Sequence, residues 1–390
     1  MTRRLLPFEY AVRNLGRSPL RLAISVLGSV LVVVLATSAF AFVRGMDRSL
    51  TGSGSADNVI LLGAGSEESI ERSEISAGVA SQAQASVFGI REEAGQAFVS
   101  PEVHAALGIA LEPEVEPDGQ AVFRGVTPAA FSVHPQVQLI EGRAMHPGAD
   151  EVIVGELTST RLGVPDERLA VGETLWVDGR ALTIVGRFAA PNTVMNAEVW
   201  IPLSSIQTLT RRESLSCVVL TLGEGEFADV DVFVKNRVDL ELSAIPETEY
   251  YDQLSAFYQP VKMMVWITAV LIGAGGLLGG LNTMYAAFAS RIREVGTLQS
   301  LGYPRRAVAL SFAQESMLAA ASGAVIGALI CVLLLDGVSI RFSMGAFGLL
   351  LDGPTIGFGI AAGLLLGLVG SIPPTLRCLR MPIAEALKAT

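Results

Sequence analysis

The sequence predicts a membrane α-helical fold: four transmembrane helices per subunit, with a large α+β extracytoplasmic domain inserted between helices 1 and 2. Three observations predict it. Four stretches stay apolar for twenty residues or so, enough at about 1.5 Å per residue to cross hydrocarbon. One long excursion, 44–260, separates the first stretch from the second and carries strand and turn signals. Composition agrees, since 51% of residues are hydrophobic, only 6% are aromatic and 40 are glycine, a balance suited to helices packed in lipid. The formal charge of −10 and the lack of a basic face exclude nucleic acid as a partner class.

Residues 1–21 read as a cytoplasmic amphipathic helix leading into the first span, 22–43, "LAISVLGSVLVVVLATSAFAFV". "AFAF" near its end resembles a signal-peptide cleavage site. The apolar core exceeds the usual 7–15 or so residues of such a signal, so an uncleaved anchor is expected. The remaining spans are 261–288, 308–335 and 356–376. Between them lie a charged loop, 289–307, and a short extracytoplasmic link, 336–355; a tail, 377–390, closes the chain. Arg3, Arg4, Arg13, Arg17 and Arg21 precede the first span. Arg291, Arg293, Arg305 and Arg306 fall between the second and third, and Arg377, Arg380 and Lys388 follow the fourth. An even number of crossings puts all three clusters on one face, which the positive-inside rule makes cytoplasmic, with both termini. The excursion then lies outside, and from Arg44 to Lys262 it holds 15 basic and 32 acidic residues.

Glycine recurs at four-residue spacing in the later spans: Gly275/Gly279 and Gly276/Gly280 in the second, Gly323/Gly327 in the third, Gly359/Gly363/Gly367 in the fourth. Such ridges let helix backbones approach closely, within one chain or, for the second span, between chains. Glu315, in "SFAQESML", sits about two turns into the third span. A carboxylate there costs roughly 2.5–3.5 kcal/mol on insertion scales. It therefore either meets another helix or the cytoplasmic loop, or lies close enough to the interface to be solvated.

In the excursion, "DNVILL", "DEVIVG" and "SCVVLTL" read as strands and "GELTSTRLGV" as a short helix. "ETLWVDGRALTIVGRF" reads as a hairpin turning on Asp178-Gly179, the dipeptide of a type I′ turn. "GSEESIERSEISAGVASQAQAS" is partly helical or loop, "LEPEVEPDGQ" a surface loop, and "IPETEYYDQLSAFYQPVKMMV" one helix entering the membrane. Cys217, Cys331 and Cys378 are far apart, and His104, His134 and His146 lack metal-binding spacing, so no metal site is expected. With no GxSxG or HExxH, no catalytic residue is expected either.

The charged loop carries the most specific signal. From Ser290 to Leu301 the residues Ile292, Val295, Leu298 and Leu301 recur at three-residue steps, a narrow helical stripe. Gly302 is placed to end that helix and Pro304 to prevent its continuation. Periodicity alone equally suits a helix lying in the headgroups with arginines on lipid phosphate. "RIREVGTLQSLGYPRRAV", however, closely resembles the cytoplasmic coupling helix of the MacB/FtsX-type (type VII) ABC transporter permeases, with its pattern R-x-R-E-[I/V]-G-x-L-[R/K]-[A/S]-x-G. Arg291, Arg293, Glu294, Val295, Gly296, Leu298, Ser300, Leu301 and Gly302 fit, and Gln299 stands where a basic residue is usual. "EYAVRNLGRSPLRLAISVLG", "IEGRAMHPGADEVIVGELTSTRLGV…VGETLWVDGRALTIVGRF" and "IPPTLRCLRMPIAEALKAT" resemble other parts of the same family, in the same order.

The resemblance implies a multi-pass protein of the bacterial inner (plasma) membrane that contacts membrane lipid and pairs with a second permease subunit, identical or related. It implies a separate cytoplasmic ABC ATPase holding ATP and Mg, since no GxxxxGK[ST] occurs in this sequence; no cofactor is expected on this chain. Arg291, Arg293, Glu294, Val295, Gly296, Leu298, Leu301 and Gly302 become the expected ATPase-coupling residues. Glu315 is the intramembrane polar residue, and Gly275, Gly276, Gly279 and Gly280 are the packing glycines. The implied work is mechanotransmission, in which ATPase closure moves the coupling helices and the outer domains. Its use is efflux or extraction of a lipid, lipoprotein, peptide or drug-like substrate, with a periplasmic adaptor as a candidate partner. The alternative is control of an outer partner such as a cell-wall hydrolase.

Overall fold

The computed structural model describes residues 8–17, 19–342, 345–380 and 382–383. Arg3, Arg4, Lys388 and the closing "EALKAT" lie outside the described residues. In chain order the helices are α1 (Phe8–Gly16), α2 (Pro19–Thr51), α3 (Val79–Ser86), α4 (Ala130–Val133), α5 (Thr158–Leu162), α6 (Leu203–Thr210), α7 (Phe227–Asn236), α8 (Glu247–Phe257), α9 (Gln259–Ala289), α10 (Ile292–Ser300), α11 (Arg305–Leu335) and α12 (Gly353–Arg380). The strands are β1 (Asn58–Gly63), β2 (Glu92–Glu93), β3 (Gln96–Ala97), β4 (Val99–Ile109), β5 (Gly119–Val126), β6 (Gln138–Gly142), β7 (Glu151–Gly155), β8 (Thr174–Val177), β9 (Arg180–Ala189), β10 (Val199–Pro202), β11 (Cys217–Thr221), β12 (Leu242–Pro246), β13 (Ser339–Phe342) and β14 (Gly345–Gly348). The chain forms two compact units, a membrane unit (1–44, 260–338, 349–390) and an inserted unit (45–259, 339–348).

Among the described residues, four segments are long and apolar enough to cross a bilayer: Leu22–Thr51, Gln259–Asn282, Arg305–Leu335 and Gly353–Pro373. α2 packs against α11 and α12 where those helices carry glycine. A Cβ at Gly323 would come within 2.5 Å of Ser29, at Gly327 within 2.9 Å of Val33, and at Gly363 within 2.5 Å of Val33. Gly359 meets Thr37 and Gly367 meets Ala320 in the same way. The Ser29 hydroxyl, brought this close, donates to the Ala320 carbonyl at 2.9 Å. In lipid no hydrophobic force draws helices together, so close backbone approach and buried hydrogen bonds hold them. At the other end of α2, Arg44 donates to Asp352 at 2.5 Å and to the Thr355 hydroxyl at 2.9 Å. Asp352 also accepts the Thr355 amide at 3.0 Å, as an N-cap does. The hydrogen bond from Thr355, opposed by partial burial and assisted by Arg44, holds the Asp352 carboxyl at a pKa of about 2.

α9 is different, because none of its most apolar window is buried in the chain. A Cβ at Gly276 would meet Val32 at 3.0 Å, whereas one at Gly275, Gly279 or Gly280 would meet no described atom within 4 Å. The segment expected to be one helix from Ile245 onward is two, α8 and α9, separated at Tyr258. Pro260 explains the break. It has no N–H to donate to the Ala256 carbonyl, so α8 cannot run on through it, and a residue without that donor suits the first turn of a new helix.

The inserted unit is built on a ten-stranded sheet in the order β12-β1-β11-β4-β5-β10-β7-β9-β6, with β8 on β9. β2 and β3 form a separate two-stranded ladder, as do β13 and β14. β4 joins the two halves: its first residues pair with β11 and the rest with β5. One sheet face carries the large apolar core, including Val99, Val103 and Ile109 of β4, Ala121 and Phe123 of β5, and Val199 and Ile201 of β10. Side chains alternate along a strand, so Ser100, Glu102, His104, Arg124 and Trp200 point to the other face. The β8–β9 hairpin turns on Asp178 and Gly179 at φ of 48° and 78°, the paired positive values of a type I′ turn. α5 ends at Gly163 with φ 77°, and a reciprocal capping box of Glu226 and Asp229 starts α7.

Candidate functional site

The charged loop folds as expected, with α10 ending in a Schellman motif. Gly302 takes φ 91°; its amide donates to the Gln299 carbonyl and the Tyr303 amide to the Leu298 carbonyl, both at 3.1 Å. Leu298 and Tyr303 share a hydrophobic cluster, the contact that accompanies this motif. Pro304 then caps α11 with extended backbone.

One edge of α10 is fastened. Val295 is buried against Val308 and Phe312 of α11, with Ile292 and Leu298 alongside. Gly296 is buried as well. Arg291, just before the helix, is 8% exposed, and its Nη1 donates to both oxygens of Glu315, at 3.1 and 2.7 Å. Glu315 therefore ties the charged loop to the third span. Charge-assisted pairing of two largely buried groups removes the cost either would carry alone. Tyr10 of α1 lines a narrow gap beside Arg291, Val295 and Phe312, so α1 packs into the same corner.

The opposite edge is open. Arg293, Glu294, Thr297, Ser300 and Gly302 are exposed, and Leu301 keeps 63% of its surface, unusual for a leucine beside a packed helix. Glu294 and Arg17 approach to 3.5 Å with both side chains in water, a contact worth little. Of the expected coupling residues, then, Arg293, Glu294, Leu301 and Gly302 are exposed, Leu298 is intermediate, Gly296 is buried, and Arg291 and Val295 meet α11.

The inserted unit holds a cluster that the sequence did not reveal. Glu102, fully buried, accepts hydrogen bonds from Ser100 (2.8 Å) and His134 Nε2 (2.8 Å) on one oxygen. Its other oxygen faces His104 Nε2 (3.1 Å) and accepts from Arg124 Nη1 (2.8 Å). The remaining Arg124 nitrogens clamp Glu198 at 2.7 and 2.8 Å, and the Trp200 indole donates to Glu198 at 3.0 Å. Burial alone raises a carboxyl pKa, yet His134 and Arg124 hold Glu102 well below the usual range, and Arg124 lowers Glu198 as well. Ligand atoms of Glu102, His104 and Cys217 lie within 4.8 Å of one another. Glu102 is already hydrogen-bonded on both oxygens, and burial pushes the Cys217 thiol well up, away from the thiolate a metal needs. Two of the three histidines thus meet on one carboxylate. The available signal was Glu-x-His on a strand, which puts both on one face.

Comparison with known proteins matches the MacB-like periplasmic core domain family over residues 22–238 and the FtsX-like permease C-terminal family over 266–383. Among curated proteins, the chain is 19% identical over 263 residues to the uncharacterized ABC transporter permease YknZ of Bacillus subtilis (strain 168), covering 60% of this chain and 62% of that one. The chain thus spans less than two thirds of that relative's length. Among solved structures, the periplasmic region of MacB from Actinobacillus actinomycetemcomitans aligns at 11% identity and TM-score 0.38, covering 52% of this chain and 94% of that one. The extracellular domain of the noncanonic ABC-type transporter YknZ from Gram-positive bacteria aligns at 12% and 0.36, covering 48% and 99%. An inserted domain between spans one and two, a charged helix between spans two and three, and family matches over both halves place this multi-pass membrane chain in the family of MacB/FtsX-type ABC transporter permeases.

Proposed function

We propose that this chain is the non-catalytic permease subunit of an ABC transporter whose ATP and Mg sit on a separate cytoplasmic ATPase. It works in the inner (plasma) membrane with both termini cytoplasmic, as one of a pair of permeases. α10 acts as the lever: the ATPase bears on its open edge, and α11 receives the motion through its fastened edge. One observation carries this reading, the two-sidedness of α10. Arg291 and Val295 are locked onto α11, while Arg293, Glu294 and Leu301 are presented outward. A helix lying passively in headgroups has no need of an anchored edge. Glycine-close packing of α2 with α11 and α12 also leaves little room for a wide polar conduit, which favours transmitted motion over threading.

The work is assigned to efflux or extraction of a lipid, lipoprotein, peptide or drug-like substrate, because the inserted domain matches the MacB-like periplasmic core. A cell-wall hydrolase recovered with the complex, instead of a periplasmic adaptor, would favour regulation. Coupling itself is tested by Arg293→Glu and Glu294→Arg in membranes reconstituted with the ATPase. Each should separate ATP hydrolysis from substrate-linked activity while leaving folding unchanged. Full linked activity in both variants would overturn the assignment.

A further inference from the structure

A cavity of about 260 Å³ opens within the inserted unit. Its volume falls just short of the roughly 300–1,000 Å³ of pockets that take drug-sized molecules, so its occupant is small. Three kinds of surface line it. Met46, Leu50 and Leu254 give an apolar wall. Tyr250, Tyr251 and Tyr258 give aromatic rings, with Phe342 and Tyr258 in a T-shaped pair at 4.9 Å. At the base lie His104, Arg124 and Glu198, which are 7%, 2% and 5% exposed.

The charges decide which molecule fits. Arg124 contributes little attraction to an anion, because its guanidinium is matched by two bonds to Glu198 and one to Glu102. Glu198 accepts three hydrogen bonds, two from Arg124 and one from Trp200, which leaves one of its four acceptor positions. Glu68 and Glu71 stand exposed at the rim, and the lining arginine, Arg124, is already matched by Glu198 and Glu102. The lining is thus net negative, and aromatic faces hold cations by their quadrupoles, at about 0.5–2 kcal/mol each. We propose that this cavity is a binding site for a compact hydrophobic monocation, an aryl- or alkylammonium, with its apolar part against Leu254 and Met46 and its charge among Tyr251, Tyr258 and the carboxylates. The site is independent of whether α10 couples to an ATPase, and its test needs no ATPase.

The experiment is calorimetric titration of the full chain in lipid nanodiscs with benzyltrimethylammonium, with phenylacetate as the matched anion and empty nanodiscs as the blank. Saturable one-to-one binding is expected for the cation, with the anion weaker by about tenfold or more. Leu254→Trp fills the cavity from its apolar wall and, in a variant whose cooperative melt is retained, should weaken the cation by about tenfold. Should that variant fail to fold, the exposed-rim pair Glu68→Lys/Glu71→Lys provides the same reading, again with about a tenfold loss expected. No saturable binding, equal binding of cation and anion, or undiminished binding in the folded variants would each overturn the proposal.

Discussion

Glu315→Gln is the most informative single change in the membrane unit, because it keeps the shape of the α10 anchor and removes its charge. In the native pair, Arg291 Nη1 reaches both carboxylate oxygens, and the side chains keep 10% and 17% of their surface. Breaking a fully buried pair costs about 3–5 kcal/mol and breaking an exposed one about 0–1. At this exposure a value of about 2 kcal/mol is expected, which multiplies local opening of α10 about 30-fold. Hydrogen exchange of the full chain in nanodiscs reads this directly, since α10 amides such as Val295, which donates to the Arg291 carbonyl, exchange on opening. Their exchange should speed up about 30-fold, while amides in the middle of α11 stay unchanged. Arg291→Met/Glu315→Met should restore most of the protection, because an apolar pair leaves no stranded charge. A change of less than about threefold in Glu315→Gln would show that the pair does not hold the helix.

Other outcomes follow from the same geometry. Gly363→Ala, whose Cβ would press within 2.5 Å of Val33, should lower thermal stability by about 1–3 kcal/mol in a detergent melt. Gly275→Ala should leave the single chain's stability unchanged and weaken self-association measured by single-molecule photobleaching, because Gly275 is exposed and its Cβ would meet no described atom within 4 Å. Gly179→Val, at φ 78°, should cost about 1–2 kcal/mol in a denaturant titration. Glu102 and Glu198 have folded pKa values below those of the unfolded chain, so the stability they give is full above about pH 4–5 and is lost as pH falls through the folded values. Tryptophan fluorescence should therefore show a flat melting temperature from pH 7 to about 5 and a steep fall below about 4. At pH 7, Glu102→Gln should cost about 3–5 kcal/mol by stranding buried charge, and its acid fall should be shallower.

Much of this was legible in the chain because the signals are local. The four spans declare themselves by length and apolarity, the β8–β9 turn by Asp178-Gly179, and the end of α10 by Gly302 and Pro304. What was not legible depends on partners far away in sequence. Glu315 could be seen as costly in hydrocarbon, but its partner, Arg291, sits 24 residues away in the turn before α10. The polar row Ser100, Glu102, His104 would read as the wet face of a strand, and Pro101 in the middle argues against a paired strand at all. Only Arg124, His134 and Glu198, supplied from other elements, make that row a buried network. The break at Tyr258 did have a local signal, Pro260, but a proline is tolerated in a helix that enters a membrane, so the sequence read as one helix.

The lever role of α10 is tested most directly by labelling Arg293→Cys with a membrane-impermeant maleimide in inside-out and right-side-out vesicles. Cys217 and Cys331 are fully buried, so Cys378→Ser provides a quiet background. If α10 takes force from a cytoplasmic ATPase, the thiol should react only in inside-out vesicles, and bound ATPase should protect it. Labelling from the outer face, or equal labelling with and without the ATPase, would contradict that role.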